Sequence, residues 1–167
     1  TRLDVGGNKL GDGAMEALAR ATSIHRLEFL RLYHNEIGAR GAEALAESPG
    51  MSALTTLDIS VNNIQDAGIA AIGASPYLGN LRKLVAFSNK IKRRGAEDFA
   101  KTTTLVNLTE LSLGQNNIGN YGAQALANCA ALKNLTSLDV SRARVNDKGA
   151  TYLRESEHLT NIEHLYH

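Results

Sequence analysis

Apolar and polar positions along this chain recur with one fixed period. Asn8, Asn35, Asn62, Asn89 and Asn116 stand 27 residues apart, and one more step lands on Ala143 with the surrounding pattern intact. Ahead of each anchor come two apolar positions separated by one other residue: Leu3 and Val5, Leu30 and Leu32, Leu57 and Ile59, Leu84 and Ala86, Leu111 and Leu113, Leu138 and Val140. Alternation of period two marks a short strand with one face buried, because successive strand side chains point to opposite sides. Two apolar columns follow each anchor, at Leu10, Ile37, Ile64, Ile91, Ile118 and Val145 and at Leu18, Leu45, Ile72, Phe99, Leu126 and Leu153. Between these columns the sequence predicts a helix, with Asp12, Asp66, Asn120 and Asp147 as N-caps whose side-chain oxygens accept from first-turn amides.

One such unit can bury its apolar residues only against its neighbours, so the units must stack. The expected fold is α/β: a curved solenoid with parallel strands on the concave face and helices on the convex face. Residues 1–167 read as one domain of six 27-residue repeats plus the start of a seventh at Ile162-x-x-Leu165. Small residues at Ala42, Ala44, Ala46, Ala123, Ala125 and Ala127 let the helices approach the sheet closely. The anchor asparagines are expected to turn inward, where each amide satisfies loop backbone groups that would otherwise be buried unpaired. Ala143 breaks that ladder, so local stability should fall toward the C-terminal repeats. A start at Thr1, inside a repeat, reads as a fragment of a longer protein whose further residues, or end-to-end packing, cover the apolar end faces.

Composition adds exclusions. Apolar residues make up 43% of the chain and the formal net charge is +1, which supplies a core but no global field to attract nucleic acid or an anionic membrane. No apolar run approaches the roughly 20 residues of a bilayer span, and Thr1-Arg2-Leu3-Asp4 does not open a signal peptide. The single cysteine, Cys129, has no disulfide partner, and a fold that rests on packing alone suits a reducing, cytosolic environment. No motif calls for a cofactor, a metal or a small-molecule substrate, and nothing resembles a catalytic centre.

The segments Leu54-x-x-Leu57-x-Ile59-x-x-Asn62-x-Ile64 and Leu108-x-x-Leu111-x-Leu113-x-x-Asn116-x-Ile118 resemble the leucine-rich repeat signature, and the likeness covers the whole chain. The repeat length and helical second half are similar to the ribonuclease-inhibitor-like class. Gly41-Ala42-Glu43-Ala44-Leu45-Ala46 and Gly122-Ala123-Gln124-Ala125-Leu126-Ala127 resemble the GALA-type repeats of effectors that bacterial pathogens inject into host cells. That resemblance implies a non-enzymatic module that binds a host protein in the host cytoplasm. The segment carries no F-box, so a ubiquitin-ligase role is not implied. A eukaryotic cytosolic regulator or sensor, and the recognition part of an enzyme whose catalytic domain lies outside this segment, are the alternatives; alanine-rich helices and the scarcity of cysteine and tryptophan favour the effector.

Function is expected on the concave face, because strand residues that point away from the core are free of folding duty. Phe29, Arg31, Tyr33, Asp58, Lys83, Phe87 and Tyr166 fall there, and the four aromatics among them exceed what folding requires. Tyr33 and Phe87, two repeats apart, are expected roughly 10 Å from each other with Ser60 between them. An aromatic cluster edged by arginine and carboxylate has the composition of an interface hot spot. Other candidates are weaker. Lys90, Lys92, Arg93 and Arg94 read as a solvated loop edge, and His158, His164 and His167 match no metal-ligand spacing. Cys129 reads as an inert buried thiol, and the triplets Asn107-Leu108-Thr109 and Asn134-Leu135-Thr136 as glycosylation look-alikes within the strand motif.

Overall fold

The computed structural model describes all 167 residues. Seven three-residue strands form one open sheet: β1 (Arg2–Asp4), β2 (Phe29–Arg31), β3 (Thr56–Asp58), β4 (Lys83–Val85), β5 (Glu110–Ser112), β6 (Ser137–Asp139) and β7 (His164–Tyr166). Every neighbouring pair is parallel and follows chain order, with Leu3 opposite Leu30, Leu30 opposite Leu57, and so on to Leu138 opposite Leu165. The register therefore equals the sequence period. Six helices alternate with the strands: α1 (Gly11–Ala19), α2 (Ala39–Ala46), α3 (Gln65–Ala74), α4 (Arg93–Phe99), α5 (Gly119–Ala127) and α6 (Asp147–Arg154). The expected open α/β solenoid is what the chain forms.

A single hydrophobic core of 38 buried residues runs between sheet and helices without a break. Its layers are the sequence columns, among them Leu30, Leu57, Leu84, Leu111 and Leu138. Ala86 occupies a leucine column and is fully buried, as is Phe99, the aromatic in the helix column of the same repeat. Gly73 of α3 makes room for that ring, since a Cβ there would lie 3.0 Å from Phe99 Cδ2.

The anchor asparagines form an inter-repeat ladder. Asn62 Nδ2 donates to Ile59 O (2.9 Å) in its own repeat and to Leu32 O (3.0 Å) in the preceding one. Its Oδ1 accepts from the amides of Asn35 and Ile37, both at 2.9 Å. Asn116 does the same for Asn89 and Ile91. Each amide thus serves mainly the repeat before its own. Alanine at 143 accordingly leaves Asn116 and Ile118 without the acceptor that Asn89 and Ile91 have, while the Ala143 amide itself donates to Val140 O at 3.2 Å.

The helix caps differ from the sequence expectation in a regular way. Asp12, Asp66 and Asn120 lie inside the first turns of α1, α3 and α5, whose cap positions Leu10, Ile64 and Ile118 offer no side-chain bond. Their side chains reach across to the next repeat instead. Asp12 Oδ1 accepts from Gly38 N (2.7 Å) and Gly41 N (3.0 Å) at the start of α2, Asp66 Oδ1 from Lys92 N (2.6 Å) before α4, and Asn120 Oδ1 from Asn146 N (3.0 Å) before α6. Asp147 is the first residue of α6 rather than its cap; Asn146 caps that helix by accepting from Lys148 N at 3.1 Å.

This alternation extends to the loops. At the first residue of α1, α3 and α5 the chain turns through the left-handed region, at Gly11 (φ 64°), Gln65 (φ 59°) and Gly119 (φ 63°). Before α2, α4 and α6 the equivalent residues Gly38, Lys92 and Asn146 are extended, and the left-handed turn falls two residues earlier, at Glu36, Lys90 and Arg144. Repeats three and five therefore differ in this turn from repeats two, four and six, while the first repeat is left-handed at both positions, Lys9 (φ 52°) and Gly11.

Two further polar ladders hold the opposite edge. Asn80, Asn107, Asn134 and Asn161, also 27 residues apart, each donate from Nδ2 at 2.8 Å to a carbonyl of the preceding repeat. Ser48, Ser75 and Ser156 hydroxyls donate to Ala19 O, Ala46 O and Ala127 O. Cys129 occupies the same column, buried, with burial pushing its thiol pKa up. The two triplets that mimic glycosylation acceptors belong to the first of these ladders.

Candidate functional site

Three columns of side chains stand on the open face of the sheet. The register places Arg2, Phe29, Thr56, Lys83, Glu110, Ser137 and His164 in the first. The second holds Asp4, Arg31, Asp58, Val85, Ser112, Asp139 and Tyr166. Gly6, Tyr33, Ser60, Phe87, Gly114 and Ser141 follow at the loop end of the strands. In β2, β3 and β4 the middle residues Leu30, Leu57 and Leu84 are buried while their strand neighbours are half-buried, so the inner and outer duties divide as the alternation requires.

Charge on this face is organised across repeats. Arg31 lies between two carboxylates, with Nη1 at 3.1 Å from Asp4 Oδ2 and Nε at 3.5 Å from Asp58 Oδ2. Asp58 Oδ1 in turn accepts from the Ser60 hydroxyl (2.6 Å) and amide (3.0 Å). Phe29 is flanked by two guanidinium groups, Arg2 at 4.0 Å and Arg31 at 5.3 Å from the ring centroid. Such contacts restrain the long side chains on this face. Lys83 pairs with Glu110 at 2.5 Å. Asp139 accepts from the hydroxyls of Ser112 (2.8 Å) and Ser141 (2.6 Å) and has no cationic partner.

The aromatic side chains do not form one cluster. Tyr33 lies across Gly6 of the first repeat, where an added Cβ would sit 2.0 Å from its Cε1. Phe87 lies toward Gly114 of the fifth, where an added Cβ would sit 3.0 Å from its Cδ2. The two rings lean in opposite directions along the stack, away from Ser60, because glycine offers open backbone on those sides only. Tyr33 stays 42% exposed and Phe87 half-buried. Tyr166 is at the far end, 56% exposed and stacked on His164 with centroids 6.4 Å apart. The structure thus brings Phe29, Arg31 and Asp58 together with Arg2 and Asp4. It sets Phe87, Lys83 and Tyr166 apart from that group. Arg2 and Asp4 complete the cluster, and their positions in the strand columns were the signal for them.

The repeats also match known proteins. The family model described as Leucine Rich repeat matches residues 1–19, 25–46, 50–73, 104–127 and 131–153. The stretch it passes over contains β4 and α4, where Ala86 and Phe99 stand in leucine columns. No curated protein matches in sequence. Among solved structures, the tropomodulin C-terminal domain from Caenorhabditis elegans is 16% identical with a TM-score of 0.55, over 93% of this chain and 81% of that one. An internalin from Listeria monocytogenes is 20% identical with a TM-score of 0.48, over 91% of this chain, which spans 43% of the internalin's length. A chain in an octameric complex of latrophilin 3, Unc5D and FLRT2 is 16% identical with a TM-score of 0.44, over 97% of this chain and 57% of that one. With the family model covering well over half of its residues, and with one strand, one helix and one asparagine rung per period, this chain belongs to the leucine-rich repeat family.

Proposed function

We propose that this chain is a non-enzymatic protein-interaction module whose partner docks on the concave strand face, centred on Arg2, Phe29, Arg31 and Asp58, with Tyr33 beside them. One observation carries the reading. A fixed aromatic and charged cluster stands on the face of the sheet turned away from the helices, where the core does not need it. Lys83, Phe87 and Tyr166 extend the contact toward the C-terminal repeats. The strand-plus-helix unit of 27 residues supports the ribonuclease-inhibitor-like class. The Gly-Ala-x-x-Leu-Ala helices support a GALA-type effector module, released by a bacterium into the host cytoplasm to bind a host protein, with residues 1–167 one repeat domain.

The test uses a photo-crosslinking residue placed at Ser60 on the concave face or at Gln124 on the convex face, in host-cell lysate. Capture of one defined protein from position 60, absent from position 124 and abolished by Phe29→Ala with Tyr33→Ala, is the expected result. Capture from position 124 alone would move the site to the helices. The effector reading is tested separately by fusing the chain to a translocation reporter in its source cell; retention in that cell would remove it while leaving the binding face intact.

A further inference from the structure

The loops that follow the strands carry a second feature. Lys90, Lys92, Arg142 and Arg144 in those loops, and Lys148 in the first turn of α6, are all exposed. None of them takes part in an ion pair, whereas Arg93 and Arg94 of the same sequence run are paired with Glu97 and Asp98. The five belong to repeats four and six, and backbone contacts through the fifth repeat hold them in one rigid strip. Lys92 bridges to Asn117, Asn117 N donates to Ile91 O at 2.7 Å, and Gly119 N donates to Ala143 O at 3.0 Å. Left-handed backbone at Lys90 (φ 58°), Arg142 (φ 54°) and Arg144 (φ 58°) makes these turns tight. Between the two cationic groups stand the exposed amides of Gln115 and Asn117. A chain of net charge +1 thus concentrates five cations without ion-pair partners on one edge of its C-terminal half, against two nearby carboxylates, exposed Asp147 and half-buried Asp66, which accepts from Lys92 N at 2.6 Å.

We propose that this edge binds an acidic segment of a protein partner. Repeats four and six lie two strand spacings apart, about 10 Å, which an extended segment of three residues spans. Cations at both ends meet its carboxylates, and the amides between them can pair with its backbone. A nucleic acid fits less well. The strip offers no free aromatic platform for bases, since the neighbouring Tyr121 ring already carries the Arg93 guanidinium at 4.2 Å, and the near-neutral chain provides no long-range attraction. A lipid surface would want exposed apolar side chains here, but Ile91 is buried and Val145 packs against the core. This edge is distinct from the concave face, so the two can fail independently.

The experiment is fluorescence anisotropy of a labelled octaglutamate peptide with the full chain at low salt. Binding should weaken roughly tenfold in Lys90→Gln with Lys92→Gln, and by a similar factor in Arg142→Gln with Arg144→Gln, because rim charges act on encounter and register. Lys148→Gln, on the ordinary backbone of α6, should weaken it in the same direction and covers any local unfolding at the left-handed arginines. The equally charged control Lys9→Gln with Arg26→Gln, at the other end of the stack, should change affinity less than about twofold. Equal loss in that control, absence of peptide binding by the unaltered chain, or tighter binding of a labelled eight-nucleotide oligothymidylate would each overturn the proposal.

Discussion

The side chain of Asn62 makes five hydrogen bonds and is nearly buried, so its carboxamide is a joint between repeats rather than a surface group. Replacing it with alanine strands the Asn35 and Ile37 amides, while the Leu32, Ile59 and Ser60 carbonyls each keep another donor, and Asn62→Ala should cost about 2 to 4 kcal/mol in denaturant unfolding, given about 1 to 3 kcal/mol per orphaned buried group. Ala143→Asn is the reverse experiment. It returns an acceptor to the Asn116 and Ile118 amides and should add about 0.5 to 1.5 kcal/mol. Native-state hydrogen exchange locates the effect: these two amides should exchange faster than Asn89 and Ile91 in the unaltered chain and slow down in the variant. Equal protection at all four sites would contradict the account of the missing rung. Cys129 gives a third readout. Its burial and raised thiol pKa predict slow reaction with a neutral-pH thiol reagent until the chain unfolds, with a rate that follows denaturant.

At the scale of elements, each even helix is capped by a residue of the odd repeat before it. That couples two features the chain shows separately, an acid or amide at the start of the odd helix and a glycine in the even one. A Cβ at Gly41, Gly95 or Gly149 would fall 2.7, 2.6 or 2.6 Å from the capping oxygen of Asp12, Asp66 or Asn120. Gly95→Ala should therefore destabilise the fold by roughly 1 to 3 kcal/mol, although alanine is the better helix former, because the crowded cap must move. Asp66→Ala should cost about 1 kcal/mol through loss of the cap, whereas Asp66→Asn, which copies the fifth repeat, should cost less. Thermal unfolding of the three variants checks the order. Should Gly95→Ala raise the midpoint, the cap does not hold the position attributed to it.

Over the whole molecule, the core is continuous but its ends are not equivalent to its middle. Leu84 is fully buried between two repeats, whereas Leu3 at the open edge of the sheet is half-buried. Leu84→Ala should cost about 2 to 5 kcal/mol from lost transfer energy and a residual cavity, and Leu3→Ala distinctly less. Unfolding should report the same gradient, since each repeat gains stability only from the neighbours it touches. The concave face stands outside this accounting. Phe29→Ala and Tyr33→Ala should leave the unfolding midpoint nearly unchanged while weakening capture of the concave-face partner by about 1 kcal/mol or more each. A variant that loses binding and stability together would mean that the ring serves the scaffold.

What the sequence determined alone is whatever repeats with its period. Strand, helix, parallel register, core columns and inward asparagines all follow from residues recurring every 27 positions, because identical units that bury a face on each other must stack in register. The division of the strand face into core and open positions was legible for the same reason, from Leu30 and Leu84 alternating with Phe29, Arg31 and Lys83. The second ladder of Asn80, Asn107, Asn134 and Asn161 was equally periodic, and it was hidden by the likeness of two of its members to a modification motif. Tertiary structure decided the rest. Asp12 looks like a cap for its own helix, and only the spacing between stacked repeats shows that its carboxylate reaches Gly38 and Gly41 of the next. Tyr33 and Phe87 look like neighbours at the same column, yet Gly6 and Gly114 draw them apart, because a ring lies where the adjoining backbone is bare. Arg31 meets Asp4 and Asp58, and Lys92 shares a strip with Arg144, through contacts between residues 24 to 27 positions apart. A period fixes which column a residue joins; the direction in which its side chain then turns depends on the volume and charge of residues in the repeats on either side.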